Sequence, residues 1–80
     1  MKDSSQREFC ADLKRSAPEG SAEWAAFNAA ETAYELAECL HNKGAKAHAA
    51  RMRGSRNYKK GWSLRNERLK DLASALPAPV

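Results

Sequence analysis

The sequence predicts an all-α protein, a small bundle of three to four helices built on one long Ala-rich helix at about 21–43, with no sheet. Three observations carry this. Ser21 to Lys43 holds seven of the chain's 16 Ala, and Ala is the strongest helix former. The chain of 80 residues has seven Leu but no Ile, and Val80 and Thr32 are its only Val and Thr; half-buried strands want β-branched residues, so sheet is excluded on composition. Pro and Gly punctuate the chain at Ala17–Gly20, at Gly44, at Gly54 and Gly61, and at Pro77–Val80. Residues 1–80 make a single small domain with a thin core.

Taken in order, Met1 to Asp3 should fray, and Ser4 or Ser5 can cap a first helix reaching about Ala17. Its apolar stripe is Phe9, Leu13 and Ala17, with Arg7, Asp12, Lys14 and Arg15 solvated. Ala17-Pro18-Glu19-Gly20 ends it, because the residue before Pro is pushed out of the α region. So tight a connection makes the next helix an antiparallel neighbour.

Ser21 is a good N-cap for the long helix, and Glu23 places a negative charge at the positive end of its dipole. Gly44 suits the left-handed position after its last turn. At about 100° per residue, Ala22, Ala25, Ala26, Ala29, Ala33, Leu36, Ala37 and Leu40 share the face expected to be buried. Phe27, Ala30 and Tyr34 widen it, and Glu31, Glu35 and Glu38 form a solvated stripe opposite. Trp24 projects toward the polar side, where it either folds back onto the first helix or serves as a contact residue.

Beyond Gly44 a third helix is expected from Ala45 to Arg53, with Ala45, Ala49 and Met52 as its stripe. The glycine-bounded run Gly54 to Gly61 reads as a basic loop. Ser63 can cap a fourth helix from Leu64 to Leu76, with Leu69, Leu72, Ala73 and Leu76 facing inward and Trp62 closing its start. Pro77-Ala78-Pro79-Val80 terminates it as a flexible tail.

Charge is segregated along this frame. Residues 1–42 carry four basic and eight acidic groups, whereas residues 43–70 carry ten basic groups against Glu67 alone. Such a concentration repels itself unless neutralised by the Glu31, Glu35, Glu38 stripe or by an external polyanion. The run from Arg51 to Arg65 mixes cations with Tyr, Ser, Asn and Gly. Arg and Lys meet phosphates, and Tyr58 can stack on an unpaired base. The expected function is therefore that of a small non-enzymatic accessory protein binding DNA or RNA through the basic segment 43–70, with Arg51, Arg53, Arg56, Tyr58, Lys59, Lys60 and Arg65 as the contacts. The alternative is a stoichiometric binder or inhibitor of a host or regulatory protein, in the manner of a small bacterial or phage-type modulator. It would use Trp24, Phe27, Glu31 and Glu35 on the long helix, or set the basic segment against an acidic protein surface. The thin core and wide Ala face also predict a homodimer, antiparallel along that helix.

Other chemistry finds little support. A helix-turn-helix across Leu36 to Arg53 would place its Gly about four positions after a packed Ala. Here His41 holds that place after Ala37, and Gly44 comes three residues late. Cys39 and His41 point in nearly opposite directions on a helix, and Gly44 separates His41 from His48, so no metal site is read and no cofactor is implied. No nucleophile–base pair, paired acids or phosphate loop is present, which predicts no enzyme. The two cysteines, Cys10 and Cys39, are expected as reduced thiols, although a bridge between the first two helices is conceivable. The polar start and the lack of a long apolar run predict a cytoplasmic protein that does not enter a membrane.

Overall fold

The computed structural model describes residues 3–40 and 44–75. Three helices follow one another, α1 (Asp3–Ser16), α2 (Ala22–Cys39) and α3 (Gly44–Ala75), and the described residues contain no strand. α2 packs along both neighbours, while α1 and α3 meet locally, through Asp3 with Arg51 and Phe9 with Tyr58. The molecule is accordingly long and thin, 57 × 23 × 16 Å. No helix among the described residues is long and apolar enough to cross a membrane.

Ser21 starts α2 as the sequence implies: its backbone is extended, and its Oγ accepts the Trp24 N–H at 3.1 Å. Gly20 (φ 78°) and Gly44 (φ 77°) hold the left-handed conformation that their positions between helices require. Leu40 closes α2 by donating its N–H to the Leu36 carbonyl at 3.0 Å. The last turn expected for this helix, His41 to Lys43, lies outside the described residues, as does the tail 77–80.

The largest departure is in the basic segment. Residues 54–61, expected as a loop, are helical, and the anticipated third and fourth helices are one rod of 32 residues, about 48 Å long. α3, not the Ala-rich helix, is therefore the longest element. Gly54 and Gly61 are buried and neither has a positive φ, so they are packing glycines rather than turn glycines. A Cβ on Gly54 would come within 2.8 Å of the Tyr34 ring, and one on Gly61 within 2.8 Å of the Phe27 ring. The rings and the notches are each seven residues apart, so two turns of antiparallel helix bring both pairs into register at once. The intimacy of that fit offsets the low helix propensity of Gly.

This register also turns α2. Its buried residues are Glu23, Ala26, Phe27, Ala30, Ala33, Tyr34 and Ala37, while Ala22, Ala25 and Leu36 of the expected core face are exposed. Burying two aromatic rings removes more apolar area from water than burying Ala methyls, so the helix faces its partners with the rings. Cys10 and Leu13 form the buried stripe of α1, continued by Ala17 just past its end, and Phe9, expected there, is exposed with its ring 5.9 Å from that of Tyr58. On α3 the buried methyls are Ala47 and Ala50, not Ala45, Ala49 and Met52, and Leu69, Leu72 and Ala73 are exposed because α3 outruns α2 at that end.

The Glu stripe is not solvated throughout. Glu38 accepts from Arg7 Nε at 2.7 Å and Glu31 lies 2.9 Å from Lys14 Nζ, so these acids hold α1 onto α2. The same Lys14 ammonium reaches Asn28 Oδ1 at 3.3 Å and stands 5.6 Å from the centre of the Trp24 ring. Trp24 is thus folded against the first helix. Arg15 is exposed and pairs with Asp12 on its own helix. Asp3, expected to fray, is buried in the first turn of α1 with both carboxylate oxygens 3.2 Å from Arg51 Nε. Cys10 is buried, Cys39 is exposed, and both are free thiols.

Candidate nucleic-acid interface

The proposed contacts sort onto two sides of α3. Ala47, Ala50, Gly54 and Gly61 mark the side buried against α2. Arg51 and Arg68 flank it and are consumed internally. Arg51 is taken by Asp3. Arg68 grips Glu23 in a fork, Nε to Oε1 at 2.7 Å and Nη2 to Oε2 at 3.1 Å. Glu23 is only 4% exposed, and the fork compensates a carboxylate that would otherwise be stranded. The bond to Glu23 raises the Arg68 pKa above its ordinary value, as the bond to Glu38 does for Arg7.

Arg53, Arg56, Lys59 and Lys60 are all exposed and make no ion pair among the described residues. At about 100° per residue they occupy the side of α3 turned away from α2. Lys70, also exposed, lies there too, and Lys46, likewise exposed, stands at the edge of that side. Those two were missed as contacts because they fall outside the run from Arg51 to Arg65, yet Lys46, Arg53 and Lys60 recur every seven residues, and that spacing was readable.

Tyr58 and Arg65 do not join this face. The Tyr58 ring is 6.4 Å from Phe27 and stacks on Trp62 at 6.1 Å, so it belongs to the packing between helices and not to a stacking platform. The Arg65 guanidinium lies 5.0 Å from the centre of the Trp62 ring, a cation–π contact. On the long helix, Phe27 is fully buried, Glu31 is paired with Lys14 and Trp24 is covered by it. Glu35 alone of the alternative contacts stands exposed and without an ion pair among the described residues.

Where α1 and α3 diverge, a groove of about 550 Å³ opens, walled by Phe9, Met52 and Tyr58 and reaching Tyr34. Its charged groups, Asp3 and Arg51, satisfy one another. Burial pushes the Tyr34 phenol up, opposed by its hydrogen bond with Gln6. Burial, with Glu31 nearby, pushes the Cys10 thiol up to about 11, which leaves it protonated and unreactive. No group of three potential metal ligands is found among the described residues.

Comparisons of the chain with protein families, with curated proteins and with solved structures find no match. The functional reading therefore rests on the geometry of α3.

Proposed function

We propose that the protein is a non-catalytic nucleic-acid-binding module whose contact surface is the outward face of α3. One observation carries the reading. Of the nine described cations between Lys46 and Lys70, only Arg51 and Arg68 have acidic partners, while Glu31 and Glu38 are engaged by α1. The internal neutraliser that the sequence offers is thus mostly spent on the other helix. Six exposed cations remain on one side of a rigid rod, an array that a phosphate backbone would neutralise with release of its counterions.

The test is a salt titration of binding to oligonucleotides followed by fluorescence anisotropy. If the six cations each neutralise a phosphate, log K should fall with log salt at a slope of about −5 on a duplex. Replacing Arg56, Lys59 and Lys60 together by Ala should flatten it by roughly two to three units. Arg15→Ala, an exposed cation on α1, should leave it unchanged. Absence of salt-dependent binding to any oligonucleotide would refute the reading and leave an acidic protein surface as the partner.

A further inference from the structure

We infer that the outward face of α3 takes a B-form DNA duplex, seated in the major groove with cations reaching both phosphate walls. This rests on the nucleic-acid reading above and goes further by naming the form of the ligand. At about 100° per residue the exposed cations fall into two rows along the rod, Lys46, Arg53 and Lys60 in one, Lys59 and Lys70 in the other. The rows stand roughly 80–140° apart around the helix. Between them run Ala45, Ala49 and Ser63, all exposed and all short, with Met52, Arg56 and Glu67 the long side chains on that ridge.

A ridge that is short at Ala45, Ala49 and Ser63 and flanked by two cationic rows suits a helix entering a groove, since the ridge can approach base edges at those positions while each row meets one backbone. An α-helix about 10–12 Å across matches a B-form major groove about 12 Å wide. The A-form major groove of duplex RNA is too deep and narrow to admit it. Single strands are bound largely by stacking bases on aromatic rings. The outward face offers none, because Tyr58 packs among Phe9, Phe27 and Trp62, and Trp62 is held between Tyr58 and Arg65. The helical state of residues 54–61 also removes the pliable loop that could wrap a single strand.

The experiment compares a mixed-sequence 20-base-pair DNA duplex, the RNA duplex of the same sequence and each DNA strand alone, over 50–200 mM salt. The DNA duplex should bind at least about tenfold tighter than the other ligands, and guanine N7, which lies in the major groove, should be protected from methylation. Replacing Lys46, Arg53 and Lys60 by Gln should flatten the duplex salt slope by roughly three units, and replacing Lys59 and Lys70 by roughly two. Circular dichroism checks that both variants stay folded. Equal or tighter binding to single strands or to duplex RNA would overturn the inference while leaving the nucleic-acid reading standing. So would dependence on one row only, or unprotected N7. No binding to any of the ligands would overturn both.

Discussion

Gly61→Ala tests the packing that turns the basic segment into a helix. In an isolated helix this change stabilises by about 1 kcal/mol, because Gly loses the most backbone freedom on folding. Here the new Cβ would lie 2.8 Å from Cε1 and 2.9 Å from Cδ1 of Phe27, against the 3.5–4.0 Å at which carbon atoms pack comfortably. Something must give by about 0.7 Å. Phe27 is fully buried, with Tyr58 at 6.4 Å beside it, so the give must come from prising α3 off α2. Overpacking of this kind costs about 1–3 kcal/mol. Set against the propensity gain, the net loss is about 1 kcal/mol, and the melting temperature should fall by roughly 4–8 °C for a chain of this size. Gly54→Ala meets the Tyr34 ring at the same 2.8 Å and should behave alike. The cause is isolated by a double-mutant cycle read by thermal and urea unfolding. In a Phe27→Leu background the clash is relieved, and Gly61→Ala should become neutral or stabilising, a coupling of about 1 kcal/mol or more. If Gly61→Ala raised the melting temperature of the wild-type chain by several degrees, Phe27 could not be seated on that notch and the α2–α3 register would be wrong.

Three further outcomes follow from buried groups. Arg68→Ala strands the carboxylate of Glu23, 4% exposed, and should lower stability in urea unfolding; Glu23→Leu with Arg68→Met should restore most of it. Cys10 has a folded pKa of about 11 against an ordinary 9.0, so between those values the unfolded chain gives up its proton first. Stability is therefore unaffected below about pH 9 and falls as pH rises toward 11, by at most about 2–3 kcal/mol. Urea unfolding of the wild type against Cys10→Ala across that range isolates the contribution, and an identical pH profile for the two would refute it. In the folded protein a maleimide should label Cys39 and spare Cys10.

Much of the fold was legible because it depends on local chemistry. Ser21 caps, Gly20 and Gly44 take left-handed backbone, and Ala-rich composition without β-branched residues leaves helices as the only repetitive structure. What was not legible depends on partners distant in the chain. A glycine that ends a helix and one that admits a ring are the same letter, so Gly54 and Gly61 read as loop boundaries until Phe27 and Tyr34 are set against them. The matching interval of seven on both helices was the available signal. The pairs Asp3–Arg51 and Glu23–Arg68 span 48 and 45 residues and have no local signature. The basic character of the candidate site was plain from charge alone. Its geometry was not, because only the docked register decides that Arg51 and Tyr58 turn inward while Lys46 and Lys70 join the outer face.

That register also explains how a chain with a thin core can keep so many like charges on one helix. Neighbouring cations three or four residues apart, such as Arg53 with Arg56 and Arg56 with Lys59 and Lys60, each cost a few tenths of a kcal/mol. Two helix-interior glycines cost roughly 1 kcal/mol apiece. Alone, residues 53–60 would be a poor helix. Their helical state is imposed from the opposite side, where Tyr34 and Phe27 enter the glycine notches and the Glu23 and Asp3 carboxylates pin Arg68 and Arg51 at two separated points. Acids spent on α1 and at these two pins are not available to quench the outer rows. The packing that holds α3 helical is thus also what leaves its outer cations without ion pairs among the described residues, the arrangement that the proposed duplex binding requires.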